Sequence, residues 1–146
     1  MSESTKRVKR LVSFRELERD RAGGVVAASR RRRDQAEEAR DSAQDAAEQE
    51  ITQAVPKVGE PVYATDMQLA RGCVDSAKQE LEVMEKRLFQ AESEFRSKMT
   101  MLLEVHKKVK QMENLYQTLR ETESRQQNSK EQREIDDLVN TKEGAR

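Results

Sequence analysis

From Met67 to Leu119 the chain repeats an apolar residue every seventh position: Met67, Val74, Leu81, Leu88, Phe95, Leu102, Val109 and Tyr116. A second set, three residues further on, comprises Ala70, Ala77, Met84, Ala91, Lys98, Val105, Met112 and Leu119, and is apolar everywhere except at Lys98. Two interleaved sets with this spacing draw one narrow apolar stripe along a long helix, the pattern of a coiled coil. A stripe of this length is not stable in water alone and requires a partner helix.

The candidate partner comes earlier in the chain. Residues from about 5 to 53 read as a helix in which Ala22, Val25, Ala36, Ala39, Ala43 and Ala46 stand at heptad-compatible spacings, while Val8, Leu11, Val12, Phe14 and Leu17 form a broader apolar face near its start. Alanine favours helix but has little surface to bury, so this helix pairs well only with one that supplies large side chains. Between the two, residues of about 54 to 65 include Pro56, Gly59 and Pro61. Proline stops a helix because it lacks the bonding N–H and restrains the residue before it. Thr65 or Asp66 is suited to cap the restart.

The pattern therefore predicts an all-α fold: two long helices in an antiparallel coiled-coil hairpin, a single domain over residues 1–146, with the second helix, about 66–140, the longer. A reversal at Gly59 would bring together residues whose numbers sum to about 120, setting Ala36 by Met84, Ala39 by Leu81, Val25 by Phe95 and Leu11 by Val109. Gly23-Gly24 should weaken the first helix locally, by ~2 kcal/mol relative to two alanines. Beyond Leu119 the stripe ends, because Glu123, Gln126, Lys130 and Arg133 are polar. Ile135, Leu138 and Val139 then form a short apolar patch suited to contact with another protein.

Composition supports this reading. With 38% charged and 3% aromatic residues the chain cannot assemble several buried layers, and it fits the class of long helices. Zero net charge conceals an uneven distribution, since residues 1–33 carry eleven Lys/Arg against four Asp/Glu and residues 34–66 carry two against nine. The basic first third is thus suited to an acidic surface. Cys73 is the only cysteine, so no internal disulfide forms, and no apolar run reaches signal-peptide or membrane-span length. A cytoplasmic protein with no membrane insertion is expected.

The chemistry of catalysis is missing from the sequence. His106 is the single histidine, which leaves no zinc cluster and no His-dependent acyl transfer within one chain. Ala22-Gly23-Gly24-Val25 lacks the Lys-Ser/Thr of a phosphate loop, and acidic pairs such as Glu37-Glu38 read as solvated helix faces. A non-enzyme without cofactor or metal is expected. Arg30-Arg31-Arg32-Arg33 could meet phosphates, but Asp34, Glu37 and Glu38 follow at once at pairing distance and no aromatic residues interleave to stack on bases. Nucleic acid is therefore not the expected partner.

Four features in order along the chain resemble the FliJ family of flagellar type III export and its virulence-system relatives of the YscO type. They are the basic opening Lys6-Arg7-Val8-Lys9-Arg10-Leu11-Val12-Ser13-Phe14-Arg15-Glu16-Leu17-Glu18, the run Arg32-Arg33-Asp34-Gln35-Ala36-Glu37-Glu38, the interrupted turn, and the closing Lys130-Glu131-Gln132-Arg133-Glu134-Ile135-Asp136-Asp137-Leu138. The resemblance covers nearly the whole chain. It implies a stalk-like hairpin that binds and stimulates the hexameric type III export ATPase, reaches the cytoplasmic domain of the export gate, handles export chaperones in some members, and works at the cytoplasmic side of the inner membrane. Carried onto this sequence, it implies ATPase contacts at Arg7, Arg10, Phe14, Arg15, Arg133, Ile135 and Leu138. It also implies gate or chaperone contacts at Ala39, Ala43, Ala46, Glu50 and Val74; at the first four, toward the end of the first helix, this chain departs from the larger or aromatic residues of family members.

A rival reading is a self-assembling scaffold or holdase-like coiled coil, with residues 67–119 paired between chains and the first helix a loose arm. Complementary stripes within one chain favour the hairpin, and with it a monomer in isolation.

Overall fold

Ser2 decides where the first helix begins. Its hydroxyl accepts the Thr5 backbone N–H at 3.2 Å and its carbonyl accepts the Lys6 N–H at 3.1 Å, satisfying donors that a helix N-terminus otherwise leaves unpaired. The structure, a computed structural model, describes residues 1–144. From this cap α1 runs Glu3–Ala54, and α2 runs Ala64–Gly144; no strand occurs among the described residues. Pro56 terminates α1. The connection turns through Gly59, whose φ of 87° lies in the left-handed region that glycine occupies without strain. Met67 N–H donates to the Tyr63 carbonyl at 3.0 Å as α2 starts.

The two helices pack against each other as an antiparallel hairpin, and their contacts fall into two units: Gly23–Met101, which contains the turn, and Met1–Ala22 with the α2 residues from Leu102 onward. In the turn unit the α2 stripe is buried or half-buried at Ala70, Val74, Ala77, Leu81, Met84, Leu88, Ala91, Phe95 and Lys98. In the terminal unit the same holds for Leu102, Val105, Val109, Met112, Tyr116 and Leu119, with Val109 fully enclosed. Of the sixteen stripe positions only Met67 is exposed, because it lies in the first turn of α2 beyond the reach of α1. The apolar stripe of α2 is thus covered within its own chain, not left for another copy.

The facing stripe on α1 is chemically different from the expected one. Its covered positions are Thr5, Val8, Val12, Arg15, Arg19 and Ala22 in the terminal unit, and Val26, Ser29, Arg33, Ala36, Arg40, Ala43, Ala47, Glu50 and Ala54 in the turn unit. They alternate by three and four residues throughout, a strict heptad in which arginine occupies four places. The side chains of these arginines are between 27% and 34% exposed. Each has a carboxylate at hand for its guanidinium: Arg15 with Glu18 at 3.0 Å, Arg19 with Asp20 at 3.8 Å, Arg33 with Asp34 at 2.9 Å and Arg40 with Asp41 at 2.8 Å. The aliphatic stems then lie along the seam while the charged heads stay at its edge. In place of Val25, Ala39 and Ala46, which are exposed, the seam passes through the neighbouring Val26, Arg40 and Ala47.

This composition also displaces the register. The Arg33 guanidinium stacks 4.7 Å from the Phe95 ring centroid, and neighbouring Arg32 pairs with Glu94 at 3.9 Å. Phe95 therefore faces Arg33 and not Val25, about two helical turns from the expected alignment. Facing residue numbers sum to about 128 in the turn unit, as they do in the terminal unit where Thr5 meets Glu123. The shift arises because the reversal is not symmetric about Gly59. The first turns of α2, up to about Cys73, project past the end of α1, and residues 55–63 lie beside them. In this register Ala47 stands level with Leu81 and Ala43 with Met84, small against large, while Arg40 stands level with buried Leu88.

Removing the ring that Arg33 covers should show how much the seam matters. Phe95→Ala is expected to destabilise the hairpin by up to ~3 kcal/mol, read from thermal or urea unfolding followed by circular dichroism. Phe89→Ala, only six residues earlier but outside the seam and exposed, should remain within ~0.5 kcal/mol of the parent. A Cβ added at exposed Gly24 would meet nothing within 4 Å, so Gly24→Ala should stabilise by up to ~1 kcal/mol in the same melts.

Candidate protein-binding surfaces

At the terminal end of the hairpin the apolar seam gives way to a polar clasp. The position after Leu119 in the α2 heptad is Glu123, half-buried, and its carboxylate accepts the Thr5 hydroxyl at 2.5 Å and the Ser2 backbone N–H at 2.9 Å. Thr5, 1% exposed, is thereby satisfied at the base of α1. The polar groups of Ser2 and Thr5 gathered at the carboxyl hold it well below its ordinary value of 4.5, at about 2, the Ser2 side chain contributing most, then the Thr5 hydroxyl, then the Ser2 backbone N–H.

Past the clasp α2 continues alone. Ser124–Gly144 has no facing helix, and all its residues are exposed. Ile135, Leu138 and Val139 share one side of it. At 100° per residue this side does not continue the seam, whose line runs through Gln126, Lys130 and Arg133, so an extended α1 would not have covered the patch. Arg133 consequently points away from Ile135 and Leu138.

A second unpartnered face lies on α1 in the same unit. Opposite its seam run Arg7, Arg10, Phe14, Leu17 and Arg21, all exposed, with Leu11 at the margin. Phe14 is 53% exposed and Leu138 is 65% exposed. Arg15 belongs instead to the covered side, paired with Glu18. The structure thus gathers Arg7, Arg10 and Phe14 on one surface and Ile135 with Leu138 on another. In the register of the terminal unit these two surfaces of one chain stand roughly 30 Å apart along the axis.

Among the residues expected to meet a gate or chaperone, Ala39 and Ala46 are exposed, while Glu50 and Val74 are half-buried. Ala43 is buried in the seam, where its methyl group is unavailable to a partner as long as the hairpin is closed. Nearer the turn, Ile51, Val55, Val58, Val62, Tyr63, Met67 and Leu69 are all exposed, a concentration of apolar surface that reading residues 54–65 only as a helix stop had passed over. Its signal was present in the valines that flank Pro56, Gly59 and Pro61.

Such an arrangement presents helix faces and a loop to other macromolecules. No group of His, Cys, Asp or Glu residues suited to a metal ion occurs among the described residues, and none of the described helices is long and apolar enough to cross a membrane. The class so defined is a helical coiled-coil hairpin that exposes apolar and basic helix faces. The family model described as "Flagellar FliJ protein" matches residues 5–142, nearly the whole chain, and the chain belongs to the FliJ family. That family is a non-catalytic component of the flagellar and related type III export apparatus. No curated protein and no solved structure matches the chain.

The Glu123 clasp gives the terminal unit a defined response to acid. A carboxyl depressed in the folded state stabilises fully above its unfolded value of 4.5, and the contribution is lost as pH falls through about 2. Glu123→Gln should therefore lower the thermal midpoint at neutral pH, with the gap from the parent closing between pH 4.5 and about 2. Melts at a series of pH values, followed by circular dichroism, read this directly.

Proposed function

We propose that this chain is a stalk-like, non-enzymatic component of a type III export apparatus. In this reading it binds the hexameric export ATPase through its terminal unit and links it to the cytoplasmic domain of the export gate through the turn unit. The observation that carries the reading is the family match over residues 5–142, taken with an exposed, strongly basic face at Arg7, Arg10 and Phe14. A basic helix face suits a ring lined with carboxylates or carbonyl groups. It can raise hydrolysis only by binding one conformation of the ring subunits better than another, so the contacts that matter are those that discriminate between states.

Arg7, Arg10 and Phe14 supply charge and an apolar anchor on one side, and Ile135 and Leu138 supply a second anchor further along the terminal end. Arg15 and Arg133 lie off these two faces, on the seam line, and act from its edge. For the gate, Ala39, Ala46, Glu50 and Val74 are the reachable or partly reachable positions, and the exposed valines of residues 55–62 add surface beside them. Export chaperones form a further partner class within the same reading, which also places the chain in the cytoplasm, peripheral to the inner membrane.

The test is hydrolysis by the matching ATPase with and without this protein. Stimulation is expected for the parent. Arg7→Glu with Arg10→Glu should abolish it while leaving helicity intact, because neither side chain takes part in the seam. Full stimulation by the double variant would move the contact elsewhere.

A further inference from the structure

The seam is left open at its turn end. Its last position on α1, Ala54, and its first two on α2, Met67 and Ala70, line a cleft together with Val55, Val62 and Tyr63 of the connection. The four large side chains among these are all exposed. The cleft measures about 240 Å³, below the roughly 300–1,000 Å³ of small-molecule sites. It suits one or two apolar side chains and not a cofactor. Its wall is also shaped in advance. Pro56 and Pro61 restrain the connection on either side of a tight turn, in which the Lys57 carbonyl accepts the Glu60 N–H at 3.3 Å and Gly59 takes the left-handed third position of a type II turn. A wall held in this way loses little conformational freedom when a partner arrives.

Charge selects the occupant. Residues 45–78 carry six carboxylates, Asp45, Glu48, Glu50, Glu60, Asp66 and Asp75, against three cations, Lys57, Arg71 and Lys78. Among the described residues none of the six takes part in an ion pair. Glu60 and Asp66 stand on the cleft itself, where Lys57 is the one cation. Asp66 also answers the positive end of α2, in whose first turn it lies, so Glu60 is the rim carboxylate most available to a partner. An apolar cleft edged in this way favours a helix that carries large apolar side chains among lysines or arginines, and disfavours an anionic lipid surface.

We propose that the open end of the seam is a docking cleft for a basic amphipathic helix of another protein, whose apolar side chains enter where α1 has stopped and extend the packing on Met67 and Ala70. The α2 stripe, covered within the chain everywhere else, is completed there by the partner. The inference deepens the gate contact of the stalk reading by giving the chemistry of what docks, and rests on that reading only for the partner's identity.

The probe is a synthetic helical peptide of leucine and lysine, compared with the same peptide in which glutamate replaces lysine. The full chain has six methionines. With carbon-13 in their ε-methyl groups, the Met67 signal, assigned from a Met67→Leu variant, reports on the cleft by NMR. Met99 and Met101, exposed but outside the cleft, serve as controls. Titrated to about 1 mM, a range suited to weak docking, the basic peptide should shift the Met67 signal and leave the controls in place, and the acidic peptide should shift neither. Val62→Ser with Tyr63→Ser should weaken binding at least ~tenfold, and Glu60→Lys should weaken it as well. Ile51→Ser, exposed but outside the cleft, should not. A Met67 signal that ignores the basic peptide, responds equally to both peptides, or responds only to vesicles of anionic phospholipid would overturn the proposal. Binding of the gate's cytoplasmic domain to the parent, measured separately, tests the stalk reading, and its absence would leave the peptide result standing.

Discussion

Aliphatic arginine stems laid over a greasy ridge are the interaction on which this fold depends. The ridge belongs to α2 and contains its large side chains, Leu81, Leu88, Phe95, Val109 and Leu119 among them. The opposing helix answers with valine, alanine and four arginines whose methylene stems provide area that alanine cannot. Where Arg40 and Arg19 come level with the ridge, Leu88 is almost fully enclosed and Val109 fully so. The guanidinium groups avoid the desolvation that a buried charge would suffer, because an acidic side chain of α1, one or three residues further on, holds each at the seam edge.

From this constraint the functional layout follows. Once Arg33 is fixed on Phe95, and Thr5 on Glu123, each unit has its alignment, and α2 must extend past α1 at the clasp. The overhang follows from the unequal lengths of the two helices, 52 residues against 81, and the register sets where it starts. It frees Ile135, Leu138 and Val139 from any role in the hairpin, while the outer face of α1 stays free because the seam needs only the opposite side. Binding surfaces on a coiled coil are the faces its heptads do not use.

How much of this was legible in the sequence depends on which helix is read. The α2 stripe could be read residue by residue, since leucine, valine, methionine and phenylalanine at 3,4 spacing mean one thing. Its end at Leu119 and the reversal at Pro56-Pro61 were equally plain. The α1 seam was not legible to a search for apolar residues, which selected Val25, Ala39 and Ala46 over their neighbours Val26, Arg40 and Ala47. A signal existed in the dipeptide Arg-Asp at residues 19, 33 and 40, separated by whole heptads, which marks a seam arginine with its own counter-ion. Of the candidate site, Arg7, Arg10, Phe14, Ile135 and Leu138 lie on exposed helix faces that the heptads leave outside the seam. Their separation along the axis depends on register, which neither composition nor periodicity supplies.

The Arg-Asp seam has a consequence for molecular identity. A zipper written in oil on one strand and in charge on the other cannot be confused with itself: two copies of α1 laid stripe to stripe in parallel would oppose guanidinium to guanidinium at residues 15, 19, 33 and 40. Mispairing of that kind is discouraged by repulsion as well as by lack of grease. In a crowded cell containing many coiled coils, a chain of this design discriminates self from stranger chiefly through the strand that looks least like a zipper.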